Sequence, residues 1–550
     1  MACDGLKAGC GSRSAHGRKA AWLVPQRSLT DELDRSWMSG GSGGMRVVRL
    51  TGEDAVDADL VRGADLWVAT TEKFESMCRT GSLRAALDKV GCPVVDEVHL
   101  LGDPARGALL EALLAHVRED ATRGTAPVRI VGLSATVANA EEVATWLGAR
   151  LVRTPWRPTR LVWQLPVLPM TDADDWAARA AVRAEAAVRI ARAVTGHGGS
   201  VLVFCGSKRR VRQSALALAA DRGTAVDQVD PDDVEAVERV CTKAGVRLHY
   251  RDWPYKRQAE AVFRAREADV LVATSTVAAG ANLPARADVV SDTTIGLERI
   301  EVSMVQQMFG RAGRIGAGER EGWAFLLTDP DERSQWQARL GAGYTVRSRL
   351  AEHLPDHLLA EAVQGRHTTR EEAEAWWQGT FAARQGHDST EELADAPDFL
   401  LAAGQLTRDA EQRWRPTAAG RLTSRLMVEA RLADDIARAL REAPVPTEPQ
   451  TAEHLLAAVL STRLPALEQA PFSERARHAL HDVLRAYRDE GDETLQQELV
   501  EPEFAAGDLS RAVLLLAADR VRAENPIHAG HSGRHRAVTA RHDDRPCCFD

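Results

Sequence analysis

The sequence predicts an α/β chain: two parallel-sheet domains, the first expected to be incomplete, then a helix–hairpin–helix module and a helical C-terminal region. Three observations predict it. Short apolar runs alternate with helical patterns from 19 to about 345, and this implies parallel strands joined by crossover helices. Helical periodicity dominates after about 345, and proline-rich breaks fall at 154–172 and 444–450.

Taken in order, residues 1–18 are rich in Gly, Ser and Ala without a period, and a disordered start is expected there. Residues 19–153 carry the runs AAWLVP, VVRLTG, LWVATT, PVVDEVHLL and VRIVGLSAT, read as the strands of the first domain. The stretch 154–172 contains four prolines and is expected to be a linker. A second domain over 173–345 has the strands SVLVFCG, GVRLHY, DVLVATST and WAFLLT. Within it, 291–307 suits either a short hairpin or a connector strand. Residues 346–443 read as amphipathic helices, then a helix, a hairpin and a helix, the pattern of a winged helix. A helical bundle is expected over 444–525, after the stiff PVPTEPQ segment. The His/Arg-rich 526–550 has no apolar period and is expected to be disordered.

The bulk numbers exclude several classes. No apolar run approaches the roughly 20 residues that span a bilayer, and the start lacks a secretory pattern, so a cytoplasmic location is expected. The eight cysteines are scattered, which argues against a disulfide framework or a structural zinc. A net charge of −9 does not advertise nucleic-acid binding, yet a protein can track a phosphate backbone through a local groove.

The chemistry concentrates in a few motifs. Asp96-Glu97 ends an apolar strand, where one carboxylate can hold Mg²⁺ and its neighbour can orient an attacking water. Alone, such a pair is an ordinary acidic turn. Here it continues as Leu101-Gly102-Asp103, Arg106-Gly107 and Glu111, and Gly132-Leu133-Ser134-Ala135-Thr136 follows. Downstream stand Ala273-Thr274-Ser275-Thr276, then Ala279-Gly280-Ala281-Asn282-Leu283-Pro284, and finally Gln307, Gly310, Arg311, Gly313 and Arg314. Two arginines three apart are expected to share one helix face.

In that order these segments resemble the superfamily 2 helicases of the DExH-box, Ski-like branch, which includes archaeal repair helicases and exosome-associated RNA helicases. The resemblance covers 19 to about 430. It implies two RecA-like domains with ATP between them, 3′–5′ movement, and single-stranded or forked DNA or RNA as partner. It also implies ATP and Mg²⁺ as cofactors. Asp96 and Glu97 are then the metal and catalytic carboxylates, with Gln307, Arg311 and Arg314 completing catalysis. His99, Gly280 and Asn282 join those residues at the nucleotide. Pro25, Arg27, Thr51, Gly52, Thr70, Thr71, Glu72, Ser134, Thr136, Thr274 and Thr276 match positions that face the nucleic-acid backbone. The family's paired-histidine segment is atypical here, reading His249-Tyr250-Arg251-Asp252-Trp253.

One expected element has no match. A nucleotide-binding fold of this kind needs G-x-x-x-x-G-K-[ST] on a strand-to-helix loop. Only Lys7 and Lys19 precede the first matched motif, and alanine follows each. The first domain is therefore expected to lack a central strand and its helix, leaving ladder groups unpaired; the expected cause is a late start codon, a frameshift, or a split gene whose other polypeptide supplies the loop. The rival reading is a non-catalytic nucleic-acid-binding pseudohelicase.

Overall fold

In the computed structural model the described residues are 19–25, 46–50, 58–80, 89–123, 128–134, 137–153, 159–169, 176–280, 283–295, 298–313, 321–387 and 392–443. The chain divides into two units, Met1–Ala396 and Pro397–Asp550.

The first unit holds two large parallel sheets. Strands β1 (Lys19–Val24), β2 (Val47–Leu50), β3 (Leu66–Thr70), β4 (Val90–Val95) and β5 (Val131–Gly132) assemble in the order β2-β3-β1-β4-β5. Their near-continuous apolar sequences suit a sheet buried on both faces. Strand β1 is central, paired to β3 through Trp22↔Val68 and to β4 through Trp22↔Val94. The ladder is unbroken across these five, so the strand expected to be missing leaves no gap between them. Residues 1–18, which precede β1 and carry no phosphate-loop match, lie outside the described residues.

Around this sheet run helices α1 (Ala58–Gly63), α2 (Thr71–Thr80), α3 (Gly107–Arg123) and α4 (Ala140–Trp146). One face packs Leu23, Trp67, Val95, Leu113, Leu114 and Trp146 into a single apolar core. Trp67 is wholly buried, and its indole N–H donates to the Val61 carbonyl at 3.0 Å. That bond satisfies a polar group that would otherwise be costly in the core.

The second sheet has the order β6-β13-β10-β7-β9-β8, with every pairing parallel. Its strands are β6 (Arg160–Gln164), β7 (Val201–Phe204), β8 (Val246–His249), β9 (Val270–Ala273), β10 (Ala287–Val290) and β13 (Glu321–Leu326). Strand β6 falls inside the stretch expected to be a linker, which corrects that expectation. The prolines at 158 and 166 flank it rather than interrupt it. It lies at the sheet edge, so it pairs on one side only. Between β10 and β13, β11 (Thr294–Ile295) and β12 (Glu298–Arg299) pair antiparallel, so 291–307 contains a hairpin.

Helices α5 (Trp176–Thr195), α6 (Lys208–Asp221) and α7 (Val234–Lys243) pack beside Val203, Val272 and Val289. On the other face, α8 (Lys256–Arg264), α9 (Thr276–Gly280), α10 (Val302–Phe309) and α11 (Arg333–Ala342) pack beside Leu202, Leu271 and Ala324.

After α11 the chain returns to the first sheet domain. Ala138 N–H donates to the Tyr344 carbonyl (2.7 Å), and the Asn139 side chain bonds both the N–H and the C=O of Val346 (2.9 Å each). Helices α12 (Leu354–Val363), α13 (Arg370–Gln378) and α14 (Phe381–Arg384) follow. Phe381 enters the first core, 5.3 Å from the Trp146 ring. His116 meets Glu361 at 3.2 Å, and His367 meets Glu119 at 3.1 Å. The single domain expected over 346–443 is therefore divided, its first part belonging to the first unit.

The second unit is smaller in its described part. Helix α15 (Glu392–Ala402), in which the unit boundary falls, is followed by the hairpin β14 (Leu406–Arg408) and β15 (Trp414–Pro416). Helices α16 (Ala418–Leu426) and α17 (Ala430–Glu442) complete the helix–hairpin–helix pattern. Thr417 caps α16 by accepting from the Gly420 N–H, and Gln405 donates to the Ala430 carbonyl at 2.7 Å. The bundle expected over 444–525 and the tail over 526–550 lie outside the described residues.

Glu111 shows what ties the returning segment down. Fully buried on α3, its carboxylate accepts from the Ser348 hydroxyl (2.6 Å) and the Ala382 N–H (2.8 Å). Glu111→Ala should cost roughly 2–4 kcal/mol, because two buried donors lose their acceptor and a void opens. Urea unfolding checks it, and a loss below about 0.5 kcal/mol, the ordinary scatter of surface substitutions, contradicts it. Burial, only partly offset by these bonds, pushes the carboxyl up to about 7. Folding then binds a proton that the unfolded chain has released between its ordinary value and about 7. Stability should therefore fall as pH rises through that window, and Glu111→Gln should flatten the slope.

Candidate functional site

Parallel pairing brings the expected residues together. Strands β1, β3, β4 and β5 point the same way, so Pro25, Thr70-Thr71, Asp96-Glu97 and Ser134 all emerge at the carboxyl edge of the sheet.

The acidic turn is held on both sides. Asp96 N–H donates to the Leu23 carbonyl and Val98 N–H to the Leu133 carbonyl, each at 2.8 Å. Asp96 Oδ1 accepts from the Glu97 N–H at 3.0 Å. Glu97 lies in the left-handed region at φ 53°, ψ 45°, a conformation that is uncommon and costly for a glutamate. Burial, and then the Glu97 charge, push the Asp96 carboxyl up to about 6. Two adjacent hard carboxylates are a donor set suited to Mg²⁺. Among the described residues no cluster of three or more potential ligands forms a metal cage. A cation at Asp96 and Glu97 would take its other ligands from phosphate and water, as Mg²⁺ commonly does.

His99 connects this turn to the second sheet domain. Burial holds its imidazole down at about 4, so it is neutral at pH 7. The Gln307 amide, on α10, donates to Nε2 at 2.9 Å. That assignment leaves the proton on Nδ1, where Glu97 Oε2 lies at 3.3 Å and Ser134 Oγ at 3.5 Å. The Tyr344 ring stands edge-on to the imidazole, with centroids 6.3 Å apart at 81°. Four segments distant in sequence thus converge on one neutral ring.

The arginines are arranged differently from expectation. Helix α10 ends at Phe309, with Gly310 as its C-cap and Gly313 at φ +65°, so Arg311 sits in the turn beyond the helix rather than on its face. Arg311 is buried, donating through Nε (3.0 Å) and Nη2 to the Ala278 carbonyl on α9, just before Gly280. Arg314 and Asn282 lie outside the described residues.

Of the residues expected at the nucleic acid, Thr70 and Thr71 are buried. Thr70 Oγ1 caps α2 by accepting from the Lys73 N–H at 3.3 Å. Glu72 and Ser134 are more open, and Thr274 and Thr276 share a 3.0 Å hydroxyl contact. Arg27, Thr51, Gly52 and Thr136 lie outside the described residues. The atypical Tyr250 is drawn into the interior, 5.1 Å from buried Trp253, where it accepts from Arg212 at 3.3 Å.

The sequence reading assigned no role to Tyr344, which lies outside the motifs, or to Asn139, which stands in the stretch that continues the Ser134 motif. Lys19, weighed as a phosphate ligand, instead donates to the carbonyls of Arg62 (2.8 Å) and Ala64 at the end of α1.

The DEAD/DEAH box helicase model matches residues 3–143, and the helicase conserved C-terminal domain matches 184–316. The chain is 35% identical over 371 residues to the ATP-dependent DNA helicase Hel308 of Pyrobaculum calidifontis, covering 63% of this chain and 50% of that protein. It belongs to the superfamily 2 helicases of the DExH-box, Ski-like branch. Hel308 of Pyrococcus horikoshii is 28% identical over 500 residues, covering 86% of this helicase-family chain and 67% of that protein. The RQC trigger complex helicase SLH1 of Saccharomyces cerevisiae is 28% identical over 402 residues, covering 68% and 20%. The chain thus spans half the length of the Pyrobaculum relative and a fifth of the yeast one. A crystal structure of the DUF1998 helicase MrfA bound to DNA shares the fold at TM-score 0.53 and 16% identity, covering 75% of this chain and 52% of that one.

In this family member Lys19 is a structural cation. Lys19→Met should lower stability by roughly 1–3 kcal/mol and leave nucleotide affinity unchanged. Thermal unfolding and nucleotide titration check it, and the opposite pattern would make Lys19 a phosphate ligand.

Proposed function

We propose that this chain acts in ATP-driven movement along single-stranded nucleic acid in the 3′–5′ direction, with forked duplexes opened as it moves. The observation that carries the reading is the 2.9 Å contact of His99 with Gln307, which joins the acidic turn of one α/β domain to the expected arginine motif of the other. A side chain in that position senses whether the two domains are closed. Asp96 and Glu97 are the residues that would hold Mg²⁺, which when bound neutralises charge on the phosphates. Glu97, set in its left-handed turn beside His99, orients the attacking water and accepts its proton. Arg311 must exchange the Ala278 carbonyl for a phosphate oxygen to stabilise developing charge, so its action is linked to α9. The name of the Hel308 relatives supports DNA as the strand, with RNA the alternative, because the motifs face the backbone and read no base.

A second reading has its own support. Lys19 is engaged with the end of α1, so it supplies no phosphate contact. On that reading the chain binds nucleic acid without turnover, or hydrolyses ATP only with a polypeptide that contributes a phosphate loop.

ATP hydrolysis by the chain, with and without single-stranded DNA or RNA, separates the two. Strand-stimulated turnover that falls at least about 100-fold in Glu97→Gln is the outcome expected of the motor, given the scale of catalytic-group losses. Binding of strands with no turnover supports the second reading and overturns the first.

A further inference from the structure

The turn that follows the acidic pair presents a side chain to which neither the motif reading nor the mechanism gives a task. Asp103 shapes this turn, its Oδ1 accepting from the N–H groups of Ala105 (3.0 Å) and Arg106 (2.9 Å). Its backbone carbonyl accepts from the Gly107 N–H at 2.8 Å. A Cβ at Gly107 would fall onto the Leu101 carbonyl, so glycine is sterically required next to Arg106. The turn is closed by these hydrogen bonds, and Arg106 projects from it.

Arg106 reaches two places. Its Nη1 donates to the Pro25 carbonyl at 2.6 Å, at the exit of β1. Its Nε lies 3.5 Å from the Glu72 carboxylate, in the first turn of α2. Pro25 and Glu72 are both expected to face the nucleic-acid backbone. One guanidinium therefore links two strand-end segments to the loop that carries Asp96 and Glu97. A planar fork can serve two acceptors at once, which a lysine ammonium on a flexible stem does poorly.

We infer that Arg106 is a positioning residue, setting the Pro25 turn and the α2 N-terminus at the spacing that a nucleic-acid backbone requires and tying both to the acidic turn. This rests on the reading that these two segments face nucleic acid. Arg106 acts through them and is not itself a phosphate ligand, because its contacts direct the guanidinium toward protein acceptors.

The test uses the full chain and its Arg106→Ala and Arg106→Lys variants, with circular dichroism to check that each folds. Binding of fluorescein-labelled oligo-dT and oligo-U is measured over a range of salt concentrations, and hydrogen exchange is followed without nucleic acid. Both variants should bind roughly five- to thirtyfold more weakly, the loss of one charge-assisted hydrogen bond. The slope of log affinity against log salt should stay as in the parent, and exchange should quicken in peptides covering 19–25 and 66–80. A slope reduced by about one, with Arg106→Lys restoring affinity, would make Arg106 a direct phosphate ligand and overturn the inference. Unchanged affinity and unchanged exchange also overturn it. Quickened exchange in a chain that binds neither strand would keep the positioning role and sink the nucleic-acid reading instead.

Discussion

The site depends on parallel register. Because β1, β3, β4 and β5 run the same way, the residue that ends each strand arrives at one edge, and turns from four distant stretches become neighbours. The second sheet domain is built on the same principle and brings Gln307 to face that edge. His99 is the meeting point: a buried, neutral ring whose two nitrogens are engaged by groups from different domains. A charged imidazole there would need a desolvated partner to offset its burial.

The chain also closes on itself in a way that constrains the domains. It leaves the first sheet domain after Arg153, builds the second, and returns at Tyr344 to pack three helices against the first. Glu111, His116 and Glu119 on α3 receive that return through buried polar contacts, and Phe381 supplies the apolar counterpart. Buried polar links of this kind specify one arrangement over others, since any shift leaves a group unsatisfied. The segment that borders the acidic turn through Tyr344 is thus also the one that completes the first core.

Much of this was legible in the residues. The strand runs, the Asp96-Glu97 pair, the Ser134 segment and the Gln307 motif are local patterns, and the structure places them at strand ends and on α10 as their spacing implies. Other parts were not. Strand β6 lies between prolines that mark a linker in sequence, and only its pairing with β13 reveals an edge strand. The helical break at Gly310 moved Arg311 off the expected helix face, because two glycines end a helix that periodicity alone would continue. Arg106 stands in a quoted motif, but its reach to Pro25 and Glu72 spans residues that sequence separation hides.

By itself the sequence determined the class of strand and helix, the order of the motifs, and the chemistry available at each strand end. These follow from side-chain polarity, period and turn residues, which act over a few positions. Tertiary structure alone decided which of those groups meet. It neutralised His99 by burying it, assigned Lys19 to the end of a helix, held Arg311 against a backbone carbonyl, and returned the helices after Tyr344 to the first domain. The physical reason is that desolvation and hydrogen-bond satisfaction depend on neighbours brought together by packing, and no local pattern encodes the identity of those neighbours.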